Sequence, residues 1–272
     1  MGASMNCVET MERVVETVLS AGSLLAAEWA RPDGPRGRSD KAEVDVEIEE
    51  QLRAGLLRLL NCDFWGEETG HSLTGAEFCW VVDPNDGTSD FLQGRRGSAI
   101  SVGLLRNAVP VLGVVYAPVT PARGPDCVSW AKGLGGIMRN RKMVLSRLEH
   151  LDLVPGSKVL MSTAAASKPE LNAELCAPAD FIPMPSIACR LALVAAGDAV
   201  AGASLVPVSA HDVVAGHALL IGARGVLLDQ HGEHISYESE ERLSQCSLRC
   251  FGGAPRACQE LLQRRWDKLF VT

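Results

Sequence analysis

Residues Phe78-Cys79-Trp80-Val81-Val82-Asp83-Pro84-Asn85-Asp86-Gly87-Thr88 decide how this chain is read. The first five are apolar, with aromatic and β-branched side chains among them, and predict a buried strand. That strand runs directly into Asp83 and Asp86, two carboxylates three residues apart. Burying carboxylates is expensive unless something cationic neutralises them. Pro84 confines Asp83 to an extended conformation, and Gly87 removes a side chain where the backbone would approach a ligand. Thr88 is a good N-cap for a short helical turn, whose free N–H groups can hold a phosphate. One loop therefore offers hard oxygen ligands for Mg²⁺ beside an anion site. The same string also serves as a ligand-free Asx-turn with helix capping, so the rest of the chain has to arbitrate.

Further acids lie on either side. Upstream, Glu67 and Glu68 in Trp65-Gly66-Glu67-Glu68-Thr69 stand between apolar runs, so at least one is expected near the core. Downstream, Asp212 follows Ser209-Ala210-His211 and opens Asp212-Val213-Val214-Ala215-Gly216, where it would also suit a helix N-cap. Separately each acid has an ordinary surface or capping explanation. Three acidic segments, all embedded in apolar sequence, point together to a cation site.

Outward from these segments, apolar spacing predicts helices from about Val8 to Trp29 and from near Val44 to Leu60. Pro32, Gly34, Pro35 and Gly37 make Arg31 to Asp40 a mobile loop between them. Strands are expected over Ala99 to Leu105 and Val109 to Tyr116, then turn-rich sequence up to Gly136. Beyond about residue 150, short strands (Val159–Met161, Val226–Leu228) alternate with helices (Ile187–Ala196, Asp212–Leu220). The pattern is α+β or α/β. It divides into an N-terminal α+β sub-domain, 1–150, holding most candidate ligands, and a C-terminal α/β sub-domain, 151–272, supplying Asp212.

Composition excludes several functions. The 272 residues carry a net charge of −7, which argues against a nucleic-acid polymer as partner. No apolar stretch approaches the roughly 18 residues of a membrane span. No basic segment precedes an apolar run at the N-terminus, so no signal peptide is expected. In Met1-Gly2-Ala3-Ser4-Met5-Asn6, Asn6 stands where a myristoylation signal needs Ser or Thr. The nine Cys residues contain no C-x-x-C pair and read as reduced structural thiols in a cytoplasmic setting, without a zinc site. His231-Gly232-Glu233-His234 reads as a turn, and Gly133-Leu134-Gly135-Gly136 lacks the flanking strand and helix of a dinucleotide fingerprint.

Gly66-Glu67-Glu68, then Asp83-Pro84-Asn85-Asp86-Gly87-Thr88, then Asp212-Val213-Val214-Ala215-Gly216 resemble the three signature motifs of the inositol monophosphatase superfamily, which comprises Mg²⁺-dependent, lithium-sensitive phosphatases. Val44-Asp45-Val46-Glu47-Ile48-Glu49 is similar to the acidic start of that family's second helix, and Lys132 to Gly136 with Asn140 to its glycine-rich hairpin. The resemblance spans about residues 8 to 260. It implies a layered αβαβα sandwich of the inositol monophosphatase and fructose-bisphosphatase type. It also implies two or three Mg²⁺ ions held by Glu67, Asp83, the Asn85 carbonyl, Asp86 and Asp212. Thr88 with Glu67 would orient or deprotonate the attacking water, with Asp45 supporting Thr88. Asp86, Gly87, Thr88 and Ser89 would meet a small phosphorylated metabolite. Arg190 stands where relatives place a substrate-contacting basic residue. Relatives are often homodimers, although nothing in this sequence sets an oligomeric state.

This chain departs from the family pattern in places. Asn85 replaces the usual Ile or Leu, His211 replaces a common Trp, and Lys41 has no assigned role. Inositol-specific members carry an acid shortly before the last motif, where this chain has apolar Leu205-Val206-Pro207-Val208. Thr88-Ser89-Asp90-Phe91-Leu92 is somewhat similar to the 3′(2′),5′-bisphosphate nucleotidases, so a nucleotide, sugar or histidinol phosphate stays open as substrate. Arg95 and Arg96 would either meet a second anionic group or lie on an exposed loop. A catalytically silent binder of phosphorylated ligands is the reading from another class.

Overall fold

The computed structural model describes residues 5–270. Residues Met1 to Ser4 of the segment compared with a myristoylation signal lie outside the described residues. Two long helices open the chain, α1 (Cys7–Trp29) and α2 (Glu43–Leu59), separated by the hairpin β1 (Gly37–Arg38) and β2 (Lys41–Ala42). Then come β3 (Asp63–Gly66), β4 (His71–Ser72), β5 (Phe78–Asp86) and the short α3 (Thr88–Leu92). They are followed by β6 (Ala99–Arg106), β7 (Val109–Ala117), β8 (Asp126–Ala131), β9 (Ile137–Arg139) and β10 (Lys142–Val144). The remainder runs β11 (Lys158–Met161), α4 (Pro169–Cys176), β12 (Asp180–Pro183), α5 (Ile187–Ala195), β13 (Ala201–Ser204) and α6 (Ala210–Gly222). It ends with β14 (Val226–Leu228), α7 (Glu240–Ser244), β15 (Cys250–Gly253) and α8 (Pro255–Leu262).

An eight-stranded sheet has the order β10-β9-β8-β7-β6-β5-β3-β4, and a five-stranded sheet the order β12-β11-β13-β15-β14. The first is antiparallel except where β3 runs parallel to β5. Helices α1 and α2 cover one face of the larger sheet, while α5 and α6 lie between the two sheets. Helix α8 packs on β15 and α4 on β12, completing a layered α+β sandwich. The apolar composition of α6 follows from this position: with a sheet on each side, a helix needs no polar face, and Val213 to Leu220 are all buried.

The docking of α6 depends on two glycines. Gly103 and Gly113 face each other across β6 and β7. A Cβ on Gly103 would meet Ala215 N at 3.0 Å, and one on Gly113 would meet Ala215 O at 2.3 Å. Backbone against backbone leaves nothing that can rotate away. Because α6 carries Asp212 in its first turn, this close approach also sets the depth of that carboxylate.

Several expectations need correction. The strand containing Phe78 continues through Asp83 to Asp86, because both aspartates still pair with β6, opposite Ser101 and Ala99, across a register shift. Asp212 is the third residue of its helix and not the N-cap, which is Ser209. The turn-rich interval to Gly136 contains β8, whose Cys127 to Ala131 are buried on both faces and so show no alternation. The segment Arg31 to Asp40, expected as a mobile loop, is tied to α1 by buried Glu28, which accepts Arg36 N at 2.7 Å and Arg36 Nη2 at 2.8 Å.

Overpacking of a rigid contact typically costs about 1–3 kcal/mol. Gly113→Val is expected to cost at least that much, read as a lowered urea midpoint. Val109→Thr, at an exposed position on the same strand, should change it little.

Candidate active site

Three chain segments carry the acids together. The β5 strand brings Asp83 and Asp86 to its end, the turn after β3 brings Glu67, and the first turn of α6 brings Asp212. Carboxylate oxygens of Asp83, Asp86 and Asp212 lie within 4.8 Å of one another, as do oxygens of Glu67 and Asp83 with a ring nitrogen of His211. Asp83 belongs to both groups. All four carboxylates are pushed up from their ordinary range. Burial is the main cause for Asp83, which is held well above the usual value, reinforced by the charges of Glu67, Asp86 and Asp212. Glu67 opens onto the cleft as a residue, yet its carboxyl is crowded by protein atoms and by Asp212, Glu68 and Asp86, and is pushed up to about 8. Asp86 and Asp212 are each raised to about 6 by burial. A set of clustered oxygens that resist losing their protons fits a hard dication, which would supply the missing positive charge.

Three of the acids are held by hydrogen bonds that sequence alone did not reveal. Asp86 Oδ2 accepts Ser186 Oγ and Ala188 N, both at 2.6 Å. Asp212 Oδ2 accepts Ser209 N at 2.5 Å, and Asp83 Oδ1 accepts Asn85 N at 2.8 Å. Helix α2 contributes two acids one turn apart. Asp45, buried and raised to about 7 by desolvation, accepts Asn85 Nδ2 at 3.0 Å and Ala42 N at 3.2 Å, and lies 3.3 Å from Thr88 Oγ1. Thr88 Oγ1 also lies 2.8 Å from the Asn85 carbonyl.

Glu49, fully buried on the same helix, accepts Glu68 N at 2.9 Å, Thr69 N at 2.7 Å and Thr69 Oγ1 at 2.5 Å. It clamps the turn that bears Glu67. The four-residue spacing of Asp45 and Glu49 was a signal for a shared helix face. What that face would meet was not visible in sequence.

The remaining expected residues divide. Gly87, at φ +95°, has Ser186 N 3.0 Å from where a Cβ would stand, so the bare backbone is required there. A pocket of about 190 Å³ beside Asp86, Gly87 and Asp212 is walled by Met184, Val206, Pro207 and Val208. Arg190 also lines it, with Nε donating to Ser186 O at 3.2 Å and Nη1 to Ala203 O, so two of its five N–H donors are directed at the backbone. Ser89 is exposed, and its carbonyl accepts Gln93 Nε2 at 2.9 Å. Arg95 pairs with Asp90 at 2.5 Å, and Arg96 stacks 5.0 Å over Trp29. Lys41 is exposed in β2. The segment at His231 is a turn closed by Asp229, which accepts His231 N and Glu233 N at 2.8 and 3.0 Å.

Carboxylates whose folded pKa is raised stabilise the fold below their unfolded value, about 4, and lose that contribution as pH rises through 6 to 8. Buried His217, pushed down to about 4 by desolvation, acts in the opposite sense and only below about 6.5. From pH 6.5 to 8 the melting temperature of chelator-treated protein should therefore fall. Mg²⁺ should raise it, more at pH 8 than at pH 6.5, in scanning calorimetry. A flat profile with no Mg²⁺ effect would contradict the cluster.

The profile of the Inositol monophosphatase family matches residues 9–267. A probable inositol 1-monophosphatase ImpA of Mycobacterium tuberculosis is 35% identical over 109 residues, covering 39% of this chain and 40% of that protein. The 3′(2′),5′-bisphosphate nucleotidase CysQ of Salmonella typhimurium is 29% identical over 164 residues, 60% of this chain and 63% of that protein. These matches therefore span less than two thirds of the relatives' own lengths. Among solved structures, extragenic suppressor protein suhB from Bartonella henselae superposes with a TM-score of 0.75 at 19% identity, covering 93% of this chain and 96% of that one, a likeness of fold. With the family profile covering nearly its whole length, this chain belongs to the inositol monophosphatase family.

Proposed function

We propose that the protein is a Mg²⁺-dependent phosphomonoesterase acting on a small phosphorylated metabolite. The observation that carries this reading is the convergence of Glu67, Asp83, Asp86 and Asp212 in overlapping groups that share Asp83. Glu67, Asp83 and the Asn85 carbonyl would hold one cation, and Asp83, Asp86 and Asp212 another. When bound, Mg²⁺ supplies charge to neutralise the phosphate, lowers the pKa of a water and stabilises the leaving alkoxide.

The protein's own contribution is orientation and proton handling. Thr88 directs its hydroxyl proton toward the Asn85 carbonyl and Asp45, which leaves oxygen lone pairs to position a water. Glu67, beside Asp83, would orient or deprotonate that water together with Thr88. Gly87 and Thr88 N–H groups would receive the phosphate. The same reading divides the chain into sub-domains 1–150 and 151–272, supported by sheets that draw on 63–144 and 158–253. Nine free cysteines favour a cytoplasmic setting.

The substrate pocket favours a second, narrower reading. Apolar Val206, Pro207 and Val208 line it where a polyol-binding acid would be needed. This weakens myo-inositol phosphate and supports a nucleotide such as a 3′(2′),5′-bisphosphate, in keeping with the Thr88 to Leu92 segment. Assay of purified protein against inositol, sugar, histidinol and nucleotide phosphates, with and without Mg²⁺, separates these readings. Hydrolysis of none at any Mg²⁺ concentration would favour the silent binder. Asp83→Asn is expected to abolish turnover while the circular dichroism spectrum stays native, and Li⁺ should inhibit in competition with Mg²⁺. Normal activity in that variant would refute the assignment.

A further inference from the structure

Two observations converge on His211. One of its ring nitrogens lies within 4.8 Å of oxygens from both Glu67 and Asp83. Its Nδ1 is buried without a hydrogen-bond partner, and its Nε2 is 3.9 Å from Asp212 Oδ1, beyond hydrogen-bond reach. A buried ring nitrogen left unpaired is costly, and the same ring stands beside two carboxylates that form no salt bridge among the described residues. Access exists, because an open cleft of about 1040 Å³ is lined by both Glu67 and His211. The backbone that carries the ring is also firmly placed. His211 sits in the first turn of α6, and its carbonyl accepts Ser101 Oγ from β6 at 3.1 Å.

Resting on the cation-binding reading above, we infer that Glu67, Asp83 and His211 form a site for a first-row transition-metal dication. Carboxylate oxygens alone suit Mg²⁺, whereas an imidazole nitrogen is a donor favoured by Co²⁺, Zn²⁺ and their neighbours. The Asp83, Asp86 and Asp212 group is all oxygen and keeps the chemistry of a Mg²⁺ site. The two groups share Asp83 but differ in donor type, so the pair of sites is chemically asymmetric. Relatives with Trp at the position of His211 would lack this nitrogen donor.

The test is direct metal binding by the full chain. Chelator-treated protein is titrated calorimetrically with Co²⁺ and separately with Mg²⁺, and the NMR spectrum of the Co²⁺-loaded protein is recorded. The wild type should show a contact-shifted imidazole resonance. His211→Gln and His211→Trp should remove that resonance and weaken Co²⁺ binding by about 10-fold or more, the effect typical of disturbing a ligand's surroundings. Mg²⁺ affinity should change by less than about threefold, well under that range. The Gln variant covers the case in which Trp disturbs packing. Absence of a shifted imidazole resonance in the Co²⁺-loaded wild type, or equal losses for both ions in the variants, would overturn the inference. Failure of the wild type to bind either ion would instead remove the carboxylate reading on which it rests.

Discussion

The desolvation of clustered carboxylates, reinforced for Glu67, Asp83 and Asp86 by repulsion from their neighbours, is the constraint around which this protein is organised. Asp83 is almost completely buried, and Glu67, Asp86 and Asp212 add negative potential around it. Of the nearby charges, Arg190 acts in the opposite direction on Asp86 and Asp212. Such a cluster has two ways to lower its energy: keep protons or gain a cation. The hydrogen bonds from Ser186, Ala188 and Ser209 favour the ionised forms and offset part of the cost of burial.

Holding such a cluster requires a stiff frame. Helix α6 lies against Gly103 and Gly113 at backbone contact, so Asp212 cannot retreat from Asp83 without breaking the sheet–helix packing. Helix α2 steadies the opposite side with two acids one turn apart. Asp45 grips Asn85 and faces Thr88, and Glu49 grips the Glu67 turn. The polar groups that bear on chemistry are thus anchored to regular elements even where they sit in turns.

Asn85 and His211 are two of the positions at which the sequence departs from the pattern it resembles. An amide at Asn85 allows a side-chain bond to Asp45 that an aliphatic residue could not make. An imidazole at 211 brings nitrogen to an otherwise oxygen-based centre. Both positions touch the acidic cluster or its immediate supports, while Val206 to Val208 line the neighbouring pocket.

Much of this was legible from local sequence. The apolar run of β5 ending in Asp83 and Asp86, the periodicity of α1 and α2, and the three acidic motifs are short-range features, because burial and helical or strand period leave their mark on neighbouring residues. Strand β8 and the small-residue strands β13 and β15 escaped, since strands buried on both faces do not alternate and Gly-Ala runs carry little propensity. The part played by Glu49 and the approach of His211 to Glu67 depend on residues about twenty to more than a hundred positions apart. Sequence by itself determined which chemistry was on offer: acids, a glycine and a threonine beside a buried strand. Only the tertiary structure decided which of those groups share a pocket, because that follows from how two sheets and the helices between them pack.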